Sequence, residues 1–485
     1  MSNAIEGLKP PLVWKYFAAI SLIPRGSKNE KSVAKYVVDI AQKLGLTARQ
    51  DAAGSVVVKK PAAAGREKVP SVCLQGHLDM VCEKNADKVH DFLKDPIELV
   101  RKGNVLMANG TTLGADNGIA VATNLAIMED RTLVHGPLEF LFTVDEETGL
   151  TGANALQPGF LDSTILLNLD SEEEGELYVG CSGGKDCTGT WALRVEPSGA
   201  ALVPIEVKVA GLRGGHSGLE IDKGRGNALK IINRLLVRLA AIGGRLSRLD
   251  GGNKRNAIPR EAIALVFVPK AKLDEARAIV SEMNGVAKAE LATVEPDLQV
   301  SVTVPKGSKK GKVFQRGLQK KLLQTIAGLP HGVIKMSADI PGLVETSTNV
   351  AMITTGRKAI ALATSQRSSV ASEIVEINDA VRAVFELGGA VATGSDGYPG
   401  WKPNLDSPIL KLAKATYKSL YGKEPAVKAV HAGLECGIIG EKFPGMDMVS
   451  FGPTLQAVHS PDEKIFIDTV EKYWNFLLAI LKNVK

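Results

Sequence analysis

The chain has 485 residues, of which 45% are hydrophobic and 23% are charged, and its formal net charge is +6. This length suggests about two or three domains with a core large enough to fold without a metal or a disulfide. So small a charge excess, together with only 5% aromatic residues, argues against a nucleic-acid-binding protein.

The termini and the cysteines bear on where the protein works. The N-terminus has no basic region followed by an unbroken apolar run, and nowhere do about 18 apolar residues follow one another. The five cysteines are odd in number and form no CxxC motif. We therefore expect reduced thiols in a cytoplasmic protein, without a signal peptide or a membrane span.

Strands and helices alternate in the first part of the chain. Hydrophobic spacing and small-residue runs predict helices at 11–21 and 30–44, strands at 55–60 and 71–76, a helix at 118–130, and strands at 137–147 and 163–173. Such alternation is typical of an α/β sheet covered by helices on both faces.

The pattern changes near residue 187. Strands are predicted at 188–197, 203–212, 261–270, 298–305 and 351–369, with helices at 229–241, 271–284 and 312–327. These strands look antiparallel, which favours a separate α+β domain. The lysine-rich run at 305–312 is predicted to be a solvated loop.

The α/β style returns after residue 395, with a helix at 408–421, a strand at 446–453 and a helix at 467–483. We therefore predict a catalytic domain formed by residues 1–187 and 396–485. Residues 188–395 are predicted to be a second domain inserted into the first.

Acidic residues and histidines recur where apolar strands end. Because ligands in α/β sheets gather beyond the carboxyl ends of the strands, these residues are candidates for one site. They are His77 and Asp79, Asp116 in a glycine-rich loop, Asp145 to Glu147, Asp170 with Glu172 to Glu174, and, far downstream, His459.

So many converging carboxylates would repel one another unless a cation lies between them. Mixed histidine and carboxylate ligands suit zinc, cobalt or manganese better than calcium or magnesium, and the number of candidates is enough for two cations that share one carboxylate. Each residue alone has a plainer interpretation: His77 as a structural histidine, Asp116 as a helix cap, and Glu172 to Glu174 as a solvated turn.

Nine short motifs in order along the chain carry a family resemblance. They are GHLDM, GTTLGADNG, DEETG, NLDSEEEGE, GGHSG, RNAIPRE, YPGW, HAGLECG and GP followed by HSPDE. Together they resemble the aminoacyl-histidine dipeptidases, also called cytosol non-specific dipeptidases, within the family of di-zinc aminoacylases and carboxypeptidases. The resemblance implies an α/β zinc-peptidase domain with a mixed sheet flanked by helices, and an inserted α+β domain that serves as lid and dimerisation surface.

The resemblance also implies a set of metal ligands. Asp116 matches the carboxylate that bridges two divalent metal ions. His77 and Asp170 would complete one site, and Glu147 and His459 the other. Zinc is the expected metal, with cobalt or manganese as alternatives.

The catalytic and substrate-binding roles follow in the same way. Glu146 matches the general base that serves a metal-bridged hydroxide, and Asp79 matches the carboxylate that orients the ring of His77. In the inserted domain, His216 matches the histidine that stabilises the tetrahedral oxyanion. The remaining expected substrate contacts are Asn256 and Arg367 for the carboxylate and Glu435 for the ammonium group.

We therefore expect a cytoplasmic, homodimeric metallodipeptidase of broad specificity that also cleaves Xaa-His dipeptides such as carnosine. An N-acyl-amino-acid deacylase or an aminotripeptidase would share the metal motifs. A metal-free glycosidase using Glu146, Glu147 and Asp170 would leave His77, Asp79 and His459 unexplained. A non-catalytic metal-binding protein would be expected to lack Glu146, which is present.

Overall fold

The computed structural model describes residues 3–305 and 311–485. The predicted loop at 305–312 falls mostly outside these residues. The chain divides into two compact units. Unit 1 comprises Met1–Gly180, Trp401–Ala429 and Leu434–Lys485, and unit 2 comprises Cys181–Gly400 and Val430–Gly433.

The first segment of unit 1 alternates between helices and strands. Its elements are α1 (Pro11–Ser21), α2 (Lys31–Lys43), β1 (Thr47–Gln50), β2 (Val56–Lys60), β3 (Val72–His77), β4 (Leu99–Lys102), β5 (Val105–Ala108), α3 (Ala115–Glu129), β6 (Leu138–Thr143), α4 (Glu146–Gly149), α5 (Thr151–Ala155), β7 (Ile165–Asn168) and β8 (Glu176–Cys181).

Unit 2 is richer in strands. Its elements are β9 (Gly183–Ala192), β10 (Val195–Pro197), β11 (Leu202–Ala210), β12 (Gly215–His216), α6 (Ala228–Ala241), β13 (Arg245–Gly251), β14 (Ala257–Ile258), β15 (Ala262–Pro269), α7 (Leu273–Glu290), β16 (Gln299–Thr303), β17 (Lys312–Phe314), α8 (Arg316–Gly328), β18 (Gly332–Met336), β19 (Val344–Thr355), β20 (Ala359–Ser368), α9 (Ala371–Leu387) and β21 (Val391–Gly394).

The chain then returns to unit 1. This last segment contains α10 (Pro408–Tyr421), β22 (Ala426–Val430), α11 (Glu435–Lys442), β23 (Asp447–Ser450), β24 (Leu455–Gln456), β25 (Lys464–Phe466) and α12 (Ile467–Asn483).

The main sheet of unit 1 has the strand order β1-β2-β6-β3-β7-β23-β8-β22. Its centre is parallel, because β3 pairs in parallel with both β6 and β7, and β7 pairs in parallel with β23. Every residue of β3 and β6 is buried. Such continuous burial is expected of parallel strands covered on both faces.

Helix α3 packs against β3 and α1. The contact with β3 is close: a Cβ added to Gly76 would lie 2.7 Å from Cβ of Ala120. Only glycine fits there, and this close approach brings the first turn of α3 beside His77.

Unit 2 is built on an antiparallel sheet with the order β16-β11-β15-β13-β19-β20-β9-β21, and β18 also pairs with β19. The strands alternate between buried and half-buried residues, as in β11 and β15. Their apolar side chains form one core with those of α6, α7, α8 and α9. The predicted fold class, a mixed α/β sheet with an α+β partner, is confirmed.

Several elements differ from the sequence prediction, among them strands β8 and β13, which were not predicted. Helix α9 was not predicted, although its buried residues Ile377, Val381 and Phe385 recur every four positions. A second sheet in unit 1, with the order β24-β25-β5-β4, was also missed, because strands of two to four residues give too little alternation to recognise. Within the described residues, no helix is long and apolar enough to cross a membrane.

Candidate metal centre

Three neighbouring parallel strands end at the same edge of the sheet of unit 1. His77 is the last residue of β3, the pair Glu146 and Glu147 opens α4 just beyond β6, and Asp170 follows β7 by two residues. Since His77 is paired in register with Thr143 at the end of β6, these segments start at the same height.

Asp116 reaches this edge from the first turn of α3. Its neighbour Asn117 fixes the helix to the sheet. The side chain of Asn117 accepts a hydrogen bond from the backbone N–H of His77 at 3.2 Å and donates one to the carbonyl of Leu169 at 2.9 Å. The start of α3 is thereby tied to the ends of β3 and β7.

The carboxylate of Asp116 lies between two histidines. Its Oδ1 is 3.1 Å from Nε2 of His77, and its Oδ2 is 3.1 Å from Nε2 of His459. Nε2 of His77 is also 3.4 Å from Oδ1 of Asp170, and Nε2 of His459 is 3.0 Å from Oε2 of Glu147. The five residues predicted as ligands therefore lie together.

Hydrogen bonding alone does not satisfy this arrangement. Nε2 of each histidine faces two carboxylates but can donate only one hydrogen. Oδ1 of Asp170 is buried, and no residue within 3–305 or 311–485 forms a hydrogen bond with it. The donor atoms of His77, Asp116 and Asp170 lie within 4.8 Å of one another, as do those of Asp116, Glu147 and His459. Two sets of one imidazole and two carboxylates, sharing Asp116, fit a pair of divalent cations.

The electrostatics indicate the same surplus of negative charge. Burial, with the charges of Asp116 and Glu147 added, raises the pKa of Asp170 to about 6. Hydrogen bonds to Asp116 and Glu147 raise the pKa of His459 to about 11. A cation in each set would neutralise this charge.

Asp79 is fully buried behind the first of these histidines. Its Oδ1 lies 3.3 Å from Nδ1 of His77. The same carboxylate accepts the backbone N–H groups of Glu146 at 3.1 Å and Glu147 at 3.3 Å, and the hydroxyl of Ser27 at 2.8 Å. Burial would raise the pKa of Asp79, but the adjacent ring and charge of His77 lower it to about 2. Asp79 thus holds both the imidazole ring and the turn that carries the two glutamates.

Glu146 lies near the metal-binding groups but belongs to neither of the two sets above. A carboxylate oxygen of Glu146 groups with His77 and Glu147 within 4.8 Å. Burial, with the charges of Asp170, Glu435 and Glu147 added, raises the pKa of Glu146 well above its ordinary value, although His77 opposes the rise. Geometry alone permits Glu146 to act as a ligand or as a proton carrier.

In unit 2, the ring of His216 faces Arg367. Nδ1 of His216 accepts the backbone N–H groups of Gly218 at 3.2 Å and Leu219 at 3.1 Å, so the neutral ring carries its hydrogen on Nε2. Nε2 in turn lies 3.5 Å from Nη2 of Arg367. Burial and the charge of Arg367 lower the pKa of His216 to about 4. Two hydrogen-bond donors therefore converge, as in a site for an anion.

Other groups surround this pair. Nη1 of Arg367 donates to the hydroxyl of Tyr398 at 3.0 Å, and the buried Nε of Arg367 has no hydrogen-bond partner in the part of the chain that the structure describes. Asn256 is exposed, and its backbone carbonyl accepts the backbone N–H of Ser217 at 2.9 Å. Three of the four predicted substrate contacts are thus in unit 2.

The fourth, Glu435, lies in unit 1 at the start of α11. It is fully buried, and its Oε2 accepts hydrogen bonds from Gln75 and Thr143, both at 2.6 Å. None of the described residues forms a hydrogen bond with its Oε1. Burial raises the pKa of Glu435 to about 8.

Sequence reasoning missed several residues around the site. Arg25 and Glu463 make buried contacts to the backbone of the ligand-bearing segments, and Tyr398 contacts Arg367. Glu463 and Tyr398 stand inside motifs that were recognised, HSPDE and YPGW, whereas Arg25 stands in none.

Comparison with known proteins shows close relatives. Residues 73–483 match the profile of "Peptidase family M20/M25/M40". The chain is 41% identical over 483 residues to the cytosol non-specific dipeptidase of Escherichia coli K12, and the match covers 99% of each chain.

Solved structures resemble the whole chain. The aminoacylhistidine dipeptidase of Vibrio alginolyticus matches with a TM-score of 0.91 and 41% identity, covering 100% of this chain and 98% of that one. The aminopeptidase PepT of Bacillus cereus, at 15% identity and a TM-score of 0.56, covers 98% of this chain and 99% of that one, and shares the fold.

Proposed function

Because the chain belongs to peptidase family M20/M25/M40, we propose that it is a dipeptidase whose hydrolytic reaction needs two divalent metal ions. The observation that carries the proposal is the carboxylate of Asp116, which lies 3.1 Å from Nε2 of both His77 and His459. The dipeptidase names of the two relatives at 41% identity support the same activity.

The metal ions would be held in two sets. His77, Asp116 and Asp170 would hold one ion, and Asp116, Glu147 and His459 the other. When bound, such ions supply positive charge that polarises the peptide carbonyl and makes a nearby water more acidic. Zinc is the metal we propose first, with cobalt and manganese as alternatives, since all three accept imidazole together with carboxylate ligands.

Glu146 would carry the proton. It takes a proton from the attacking water on one carboxylate oxygen and delivers it to the nitrogen of the leaving amine. The position of Glu146 supports this role, because its carboxylate lies close to His77 and Glu147 but in neither of the two sets that share Asp116. Asp79 would keep the His77 ring and the Glu146 backbone in place during this transfer.

Residues of unit 2 would bind the free carboxylate of the dipeptide. The guanidinium of Arg367 suits that carboxylate, and Asn256, whose backbone carbonyl accepts the N–H of Ser217, would assist it. His216, neutral at pH 7, would donate its Nε2 hydrogen to the oxyanion. We propose that Oε1 of Glu435 contacts the substrate ammonium, which would favour dipeptides over longer chains.

We also propose the setting of the activity. The protein would act in the cytoplasm on dipeptides of broad sequence, Xaa-His dipeptides among them. It would do so as a homodimer in which unit 2 serves as lid and dimerisation surface. The name of the Escherichia coli relative supports the location.

The test is a substrate panel on protein with defined metal content. Metal is removed with a chelator, zinc, cobalt or manganese is restored, and rates are measured on dipeptides, tripeptides, N-acyl amino acids and a nitrophenyl glycoside. We expect about two metal ions per chain at full activity and dipeptides as the best substrates. Activity that survives complete metal removal would overturn the proposal. A preference for N-acyl amino acids or tripeptides would assign the chain to another branch of the family.

A further inference from the structure

Both oxygens of the buried carboxylate of Glu463 accept hydrogen bonds from backbone N–H groups. Its Oε2 accepts those of Leu113 at 2.7 Å and Gly114 at 2.9 Å, and its Oε1 accepts those of Ala115 at 2.8 Å and Asp116 at 3.3 Å. Only 2% of Glu463 is exposed. Four consecutive N–H groups thus converge on one negative charge.

Arg25 holds the same segment from its carbonyl side. Its Nη2 donates to the carbonyl of Gly114, and its Nη1 donates to the carbonyls of Leu78 at 3.0 Å and Asp79 at 2.9 Å. Arg25 is 2% exposed. The peptide groups on either side of Gly114 are therefore held by an anion on one side and a cation on the other.

The glycines of the GTTLGADNG motif make room for this arrangement. Gly114 has φ +68°, and a Cβ added to it would lie 2.6 Å from Nη2 of Arg25. A Cβ added to Gly118 would lie 2.5 Å from the same atom. These two motif positions accommodate the guanidinium and lie on either side of Asp116.

Glu463 is also joined to His459 by a tight turn. The backbone N–H of Glu463 donates to the carbonyl of Ser460 at 3.1 Å, and the hydroxyl of Ser460 donates to the carbonyl of Ala457 at 2.7 Å. The turn lies between the paired strands β24 and β25. A shift of Glu463 would therefore move His459 and the backbone of Asp116 together.

We propose that Glu463, assisted by Arg25, is a positioning residue of the metal centre. Through its four backbone hydrogen bonds it sets the distance between the shared ligand Asp116 and the terminal ligand His459, while Arg25 fixes the same loop to the end of β3. The inference rests on the proposed metal centre. Glu463 contacts no reacting group, and its effect passes entirely through the backbone.

Glu463→Gln is the informative substitution. The amide keeps the size of the side chain, but its NH₂ group faces two backbone donors that the carboxylate had accepted. Glu139→Gln is a matched control, because Glu139 is also 2% exposed and accepts the N–H groups of Asp162 at 3.0 Å and Ser163 at 2.8 Å, at the opposite end of the sheet strands. Each variant loses a buried carboxylate that accepts backbone N–H groups. Only Glu463 lies beside the proposed metal ligands.

Metal affinity is measured by competition with a chromophoric chelator, and thermal unfolding is followed in excess chelator. We expect E463Q to bind at least one of the two ions about 10–100-fold more weakly, in the range found when groups that orient metal ligands are removed. The metal concentration for half-maximal activity should rise in parallel, with KM for the dipeptide unchanged at saturating metal. E139Q should lose thermal stability without any change in metal affinity.

The outcomes separate this inference from the proposed function. If wild-type protein binds fewer than two ions, the proposed metal centre is wrong. If wild-type and E463Q bind two ions with equal affinity, or if E139Q weakens binding as much as E463Q, Glu463 is a structural cap only. Should E463Q fail to fold, Glu463→Asp, which keeps the charge on a shorter side chain, is expected to weaken binding to a smaller extent. Unchanged affinity in that variant would equally refute the inference.

Discussion

Glu146 and Glu147 are neighbours in sequence, yet the proposed mechanism gives them opposite functions. Replacing either one with glutamine makes the same chemical change, from a carboxylate to an amide, at two adjacent positions. Glu147 lies 3.0 Å from Nε2 of His459 and belongs to the set completed by Asp116. Glu146 belongs to neither of the two sets that share Asp116, although it lies close enough to His77 to be a ligand.

The structure sets the size of each effect. In Glu147→Gln, one set keeps only Asp116 and His459 as charged or imidazole ligands, so the bound metal should fall from about two ions per chain to about one at limiting metal. In Glu146→Gln, both sets remain complete and metal content should not change. Loss of the proton carrier should lower kcat by about 10²–10⁴-fold, which corresponds to roughly 3–5 kcal/mol in the activation free energy.

The assay combines metal analysis after gel filtration with kcat and KM on one dipeptide at several metal concentrations. Added metal should partly restore the activity of E147Q but not that of E146Q. If E146Q loses metal as E147Q does, then Glu146 is a ligand and the proposed base must be sought elsewhere. Wild-type activity in E146Q with full metal content would refute the mechanism.

Three further outcomes are expected. Asp79→Asn should weaken metal binding about 10–100-fold in chelator competition, because the amide cannot hold the His77 ring as the carboxylate does; equal affinity would remove Asp79 from this role. Arg367→Met should raise KM for dipeptides about 10-fold or more with metal content intact, and unchanged kinetics would remove Arg367 from the substrate site. Burial lowers the pKa of His331 to about 4, so the unfolded chain binds the proton first as the pH falls. The contribution of neutral His331 to the free energy of unfolding should therefore be fully present above about pH 6.5. It should fall by on the order of 3 kcal/mol as the pH approaches 4, and His331→Gln should reduce this fall in urea titrations with chelator present.

Strand ends in the sequence pointed to three of the five candidate ligands, because His77, Glu147 and Asp170 follow apolar strands. Asp116 and His459 do not, and the ligand roles of all five came from the family resemblance. His77 and Asp170 stand at or just beyond the ends of β3 and β7, and the parallel pairing of those strands brings them to one edge. Glu146 and Glu147 likewise follow the end of β6, the neighbouring strand. Once the strands are paired in parallel, the residues that follow their ends come together at one edge of the sheet.

The supporting residues could not be predicted in this way. Arg25 binds backbone carbonyls of residues 78, 79 and 114, and no spacing in the sequence encodes such contacts. Glu463, in a loop between two very short strands, has the appearance of an ordinary solvated acid although it is 2% exposed. Glu435 was expected at the substrate, and its burial against Gln75 and Thr143 depends on where α11 packs.

The position of β23 has a consequence for the order of events during biosynthesis. This strand lies between β7 and β8, although the whole of β9 to β21 separates it from them in the chain. A ribosome takes on the order of 10–40 s to synthesise that stretch. Until then the edge of β7 has no parallel partner on that side, and His459, nine residues beyond the strand, has not been made. Closing the central sheet and completing the proposed ligand set therefore both depend on the same last segment of the chain.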